Sequence, residues 1–214
     1  ELTGTGVGTC TVTATKAADD AFNAATATVD VTVGKADQDA LSATASPAVI
    51  AFGGSSTLGT SGGSGTGTVS YAVTAGASFC AITDSTLSGT GVGTCTVTAT
   101  KAADANYNLA TATVEVAVGK ADQATLTASA SPAAIVFGGT STLGTSGGSG
   151  TGTVSYAVTA GASFCAISGT ELSGTGVGTC TVTATKAADA NYNAATATVD
   201  VTVGKADQAS LTAS

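Results

Sequence analysis

The sequence predicts an all-β protein made of repeated two-layer sandwich modules, and three observations predict it. Apolar and hydroxyl residues alternate strictly, as in GTCTVTATK from Gly93 to Lys101, where Cys95, Val97 and Ala99 share one parity and Thr94, Thr96, Thr98 and Thr100 the other. Such alternation marks strands with one packed face and one wet face. Gly, Asn, Asp and Ser clusters interrupt these stretches at short intervals. The whole pattern recurs: Cys10, Cys95 and Cys180 stand at intervals of 85 residues, as do the segments GTSGGSGTGTVSYAVTAGASFCAI that begin at Gly59 and Gly144. That step exceeds the roughly 20–50 residues of most solenoid and propeller units and matches an autonomous domain.

One module can be followed in order from Lys35. Lys35-Ala36-Asp37-Gln38 is a short polar bridge, repeated at Lys120 and Lys205; so short a bridge allows little slack. Strands are predicted at Leu41–Ala45 and Ala48–Phe52, with Ser46-Pro47 between them, and Gly53-Gly54 turns the chain into a strand over Ser56–Thr60. The small residues Ser61 to Gly67 connect to a strand carrying Val69, Tyr71 and Val73. Short strands follow at Phe79–Ile82 and Ser85–Ser88, then the long strand Gly93–Lys101. Asp104 to Asn108 forms a turn, and Ala110–Val118 closes the module with Ala112, Val114, Val116 and Val118 on one face. About seven short strands per repeat specify a sandwich. The expected division is 1–35 as the last part of a module, 36–120 and 121–205 as complete modules, and 206–214 as the first strand of another. The chain therefore reads as a window within a longer repetitive protein.

Fourteen acidic residues face six lysines, with no Arg and no His, for a net charge of −8. Nucleic acid and anionic membrane surfaces both call for basic patches, so neither is an expected partner. Ala48–Phe52 is an apolar run of five, where crossing a bilayer takes about 18; no membrane span is expected in this segment.

Each complete module holds two cysteines 15 positions apart, Cys80 with Cys95 and Cys165 with Cys180. Without His or a C-x-x-C pair, two thiolates do not make a zinc site, so disulfides are expected, and with them an extracellular location. Each pair is read as tying neighbouring strands. Cys10 occupies the second place of a pair whose partner would precede Glu1.

Together, the Ser-Pro opening, the FGG turn, the GTSGGSGTGTVSYAVT strand pair, the paired cysteines, GTCTVTATKAADANYN and TATVxVxVGKA resemble bacterial immunoglobulin-like repeats. Such repeats occur in tandem in large surface adhesins and extracellular fibre proteins. The resemblance implies tandem immunoglobulin-like β-sandwich modules. It stops short of the antibody type: no Trp is present to pack on the bridge, and the cysteine spacing is short for a bridge between sheets.

Candidate chemistry is sparse. No His, activated Cys or converging carboxylates form a catalytic set, so the chain is expected not to be an enzyme and to use no cofactor. The stretch Gly59–Gly67 lacks the Lys of a phosphate loop and is read as a strand connection. Asp104, Asn106, Asn108 and Glu115 have the spacing of a calcium loop, but Leu109 or Ala194 stands where that loop needs Gly. A turn in which Asp and Asn side chains bond their own backbone is the simpler reading, and no metal is expected. Lys16, Lys101 and Lys186 share the inward parity of their strands. The resemblance allows an isopeptide bond there, to Asn106, Asn108 or Asp104; a stem that snorkels to water or to Asp104 is the simpler account.

The function read from these residues is an extracellular structural protein, a cell-surface stalk or filament without catalysis, whose partners are other copies of itself. Its core would be Val, Ile, Leu, Phe52 and Tyr71. The alternative is an adhesin whose modules grip a glycan or protein on a host or neighbouring cell, with Tyr107 and Phe22 as loop-tip aromatics.

Overall fold

The computed structural model describes residues 1–211, and among them every regular element is a strand. The strands are β1 (Gly8–Lys16), β2 (Ala25–Val33), β3 (Leu41–Ser46), β4 (Val49–Ala51), β5 (Ser55–Gly62), β6 (Val69–Ala75), β7 (Cys80–Thr83), β8 (Thr86–Gly89), β9 (Gly93–Lys101) and β10 (Ala110–Gly119). The same series continues as β11 (Leu126–Ser131), β12 (Ala134–Val136), β13 (Thr140–Gly147), β14 (Val154–Ala160), β15 (Cys165–Ser168), β16 (Glu171–Gly174), β17 (Gly178–Lys186) and β18 (Ala195–Gly204). Ala206–Leu211 is irregular, and the remainder of the strand expected over 206–214 lies outside the described residues.

The chain divides into two compact units, Glu1–Ile50 with Gly54–Val118, and Ala51–Gly53 with Gly119–Ser214. In the first unit β1 and β2 form an antiparallel hairpin, and β3 to β10 form two four-stranded sheets, ordered β3-β5-β8-β7 and β4-β10-β9-β6. The second unit has the sheets β11-β13-β16-β15 and β12-β18-β17-β14.

Alternation places the core as the sequence predicts. Cys95, Val97 and Ala99 on β9 and Val116 and Val118 on β10 turn inward with 0–3 % exposure, while Glu115 and most of the threonines between them face outward. Cys95, Val97, Val116 and Val118 meet Ile50, Leu58, Cys80 and Leu87 in one cluster drawn from both sheets, which is what makes the pair a sandwich. Ile135, Leu143, Cys165, Leu172, Cys180, Val182, Val201 and Val203 repeat that core in the second unit. Tyr71 packs against the first cluster, as expected. Phe52 does not: carried on the turn after β4, it groups with the second unit, where its ring meets that of Tyr192 edge-on at 5.5 Å. The Phe52 N–H donates to the carbonyl of Gly119 (2.8 Å), the last residue of β10 and one beyond the inward-facing Val118.

The Ser-Pro step has a topological role. Its peptide bond is cis at both Ser46-Pro47 and Ser131-Pro132, and the chain changes sheets there. β3 lies beside β5, whereas β4 lies beside β10 in the opposite layer. In the second unit the corresponding pair, β12 and β18, is parallel, with Ala134 opposite Thr202 and Val136 opposite Gly204.

Phe79 is a half-buried residue packed against the core that alternation does not single out. Its ring lies where a side chain at Gly93 would be, 2.5 Å from that Cβ position, so glycine is needed for β9 to pass beneath it.

Candidate functional site

The sulfur bridges come first among the residues singled out by sequence. The structure pairs Cys80 with Cys95 and Cys165 with Cys180, each with Cα atoms 6.4 Å apart. Cys80 lies on β7 and Cys95 on β9, strands of different sheets, so each bridge crosses the core. This corrects the expectation that the pair ties neighbouring strands. A separation of 15 suffices because the chain reverses through the short β7–β8 hairpin and then passes directly to the facing layer. Cys10 is exposed and free among the described residues.

Chemistry-bearing side chains gather at one pole of each sandwich, where the linker, the glycine-rich connection and the Asp104 turn interlock. Asp104 Oδ1 accepts the N–H groups of Asn106 (3.0 Å) and Tyr107 (2.9 Å). This is the self-bonded turn preferred in the sequence reading. Its Oδ2 reaches across to the β5–β6 connection and accepts the Thr66 N–H (2.6 Å) and hydroxyl (3.2 Å). Those donors, the Thr66 amide first and then the Asn106 and Tyr107 amides, lower the Asp104 pKa from 3.8 to about 2 against a smaller opposing effect of desolvation. Asp189 repeats the arrangement with Thr151, Asn191 and Tyr192, and its pKa is also about 2. Asn108 does not bond its own turn with its side chain; its Nδ2 donates to Asp37 Oδ1 in the linker (2.9 Å).

Lys101 starts inward, as its parity requires, and the protein partner of its ammonium is a loop carbonyl and not Asp104. Nζ donates to the Gly63 carbonyl at 3.1 Å, and Lys186 makes the same bond to Gly148 at 3.4 Å. The carboxylate of Asp104 is already saturated by four donors, which leaves the loop carbonyls as the acceptors at the end of the lysine stem. Glu115, on the outward face, is exposed.

Gln38 is a polar centre of this pole that the sequence does not mark as functional. Its Nε2 donates to the carbonyls of Asn108 (2.8 Å) and Ala102 (3.4 Å), and its Oε1 accepts the Gly65 N–H (3.2 Å). Gln123 makes the same three bonds to Asn193, Ala187 and Gly150. Ala36 beside it forms a parallel bridge with Tyr107, its N–H donating to Asn106 and its carbonyl accepting from Asn108. The only sequence signal was recurrence of Gln at the end of each linker. The glycine-rich connection fits tightly over this group. A Cβ at Gly63 would lie 2.9 Å from both Gln38 Oε1 and Lys101 Cδ, and one at Gly65 would lie 2.8 Å from Asp104 Oδ2. The small residues of Gly59–Gly67 thus serve close packing of loop on side chain.

Of the loop-tip aromatics, Phe22 is 74 % exposed, while Tyr107 is half-buried with its backbone tied to Ala36. A shallow groove beside the edge strand recurs in both units, lined by Val69, Tyr71, Ile82 and Asp84 in the first and by Val154, Tyr156, Ile167 and Gly169 in the second. No helix among the described residues is long and apolar enough to cross a membrane.

No protein-family model matches this sequence, and no curated protein matches it. Solved structures do. The C-terminal 282-residue fragment of intimin, in complex with the intimin-binding domain of its translocated receptor, is 19% identical over 79% of this chain and 64% of that one, with a TM-score of 0.33. Domains 1–6 of the surface layer protein SbsC are 13% identical over 97% of this chain and 36% of that one, at 0.32. Murine CEACAM1b is 11% identical over 77% of this chain and 100% of that one, at 0.33. The chain thus spans less than two thirds of the intimin and SbsC structures.

Proposed function

We propose that the chain acts as an extracellular structural protein, its tandem immunoglobulin-like repeats forming a cell-surface stalk or filament without catalysis. One observation carries this reading: the same construction, a two-sheet core crossed by a disulfide and closed at one pole by its own linker, is built twice with the same residues. Disulfides persist outside the reducing cytoplasm, which supports a secreted or surface location. The topology suits a load. Where β12 enters parallel to the exiting β18, tension between the two ends of the module shears their three paired rungs together instead of peeling them one by one. Low charge density, 9% of residues, leaves little repulsion between neighbouring copies and supports the filament form.

The test adds further copies of residues 121–205 and measures contour length by electron microscopy. A spacer lengthens by a constant increment per copy. A length that stays flat as copies are added refutes the proposal.

The recurring groove beside β6 and β14 favours a second reading, an adhesin that binds a glycan or a protein of a host or neighbouring cell. Saturable binding of the intact chain to cells or glycans, abolished by Tyr71→Ala with Tyr156→Ala, would establish that reading in place of the spacer.

A further inference from the structure

We propose that Gln38 and Gln123 are positioning residues that latch each linker onto the module it precedes, making the polar bridge part of the fold instead of a hinge. The inference deepens the spacer reading and rests on it. Three separate chain segments converge on the one amide side chain: the end of β9 through the Ala102 carbonyl, the turn before β10 through the Asn108 carbonyl, and the glycine-rich connection through the Gly65 amide. All three partners are backbone groups, so the latch depends on a side chain with both donors and an acceptor, which Gln supplies and neither Glu nor Lys does. It is half-buried, where an unpaired backbone carbonyl is costly. The surroundings hold it in place. Lys101 and Asp104 bond the same connection on either side of Gly65, and glycines at 63 and 65 let the loop close over the amide. With Gln38 seated, Ala36 is aligned to exchange its two hydrogen bonds with Asn106 and Asn108. The second unit reproduces each contact through Gln123, Lys186, Asp189 and Ala121.

Native-state hydrogen exchange on the intact 214-residue chain tests the latch with two variants. Gln38→Ala removes all three bonds, and the amides of Ala36, Asn108 and Gly65 should exchange about tenfold faster or more, with Val97 in the core unchanged. Gln38→Glu keeps the acceptor but loses both donors. Gly65 should then stay protected while Ala36 and Asn108 speed up. Unchanged exchange at Ala36 and Asn108 in both variants overturns the latch. Acceleration that includes Val97 overturns it too, because Gln38 would then be supporting the whole fold. Ligand binding by the unaltered chain would defeat the spacer reading while leaving these exchange rates as stated, so the two failures are separable.

Discussion

Breaking the bridge between Cys80 and Cys95 should lengthen the first unit's response to force by a calculable amount. While the bond is intact, the 15 residue steps from Cys80 to Cys95 cannot be drawn out when the sandwich unravels. A fully extended chain spans at most about 3.3–3.6 Å per residue, so that segment holds roughly 50 Å of slack. The bridged Cα atoms already stand 6.4 Å apart, so the net gain on removing the bond is about 45 Å. Single-molecule stretching of the chain with and without Cys80→Ala plus Cys95→Ala reads this as a longer unfolding step in one unit, with the other unit's step unchanged. The same substitution in the second unit, Cys165→Ala plus Cys180→Ala, should give an equal increment, since the spacing is identical. By the chain-entropy argument the bridge also contributes about 3 kcal/mol, so the variant unit should unfold at lower denaturant concentration. Equal step lengths with and without the cysteines would refute the reasoning, because the sulfurs would then not be closing a loop in the native chain.

Three other outcomes follow from the geometry. Asp104 and Asp189 titrate at about 2 when folded instead of 3.8, so the stability they contribute is fully present above pH 3.8 and lost as pH falls toward 2; NMR shifts of the Thr66 and Thr151 amides should report that midpoint, and a midpoint near 3.8 would show that the turn donors are not formed. Leu87→Ala and Leu172→Ala each empty a fully buried site and should cost about 2–5 kcal/mol in their own unit only, seen as one displaced transition in chemical denaturation. Gly93→Ala should destabilise by about 1–3 kcal/mol through collision with the Phe79 ring, and Phe79→Leu should return part of that loss.

Strand positions were legible because a strand's period is local: GTCTVTATK states by its own alternation that Cys95, Val97 and Ala99 turn inward, and β9 bears that out from Gly93 to Lys101. The repeat was equally plain, since it needs only comparison of the chain with itself. The site was less so. Asp104 announced its turn through neighbours two and three residues on, but its strongest donor, Thr66, lies 38 residues away, and the Gln38 acceptors lie 64 and 70 residues away. Nothing in a residue's own neighbourhood encodes such partners.

By itself, then, the sequence determined which side of each strand is packed, where the turns fall, and that one module is written more than once, because side-chain chemistry and backbone preference act over a few residues. Only the tertiary structure decided which layer each strand joins. The chain changes sheets at Ser46-Pro47 between β3 and β4, the β7–β8 hairpin sets Cys80 across from Cys95, and loop closure gives Lys101 the Gly63 carbonyl instead of a carboxylate. Those outcomes depend on how two sheets stack, and alternation is blind to that, since an inward-facing residue reads the same whichever sheet carries it.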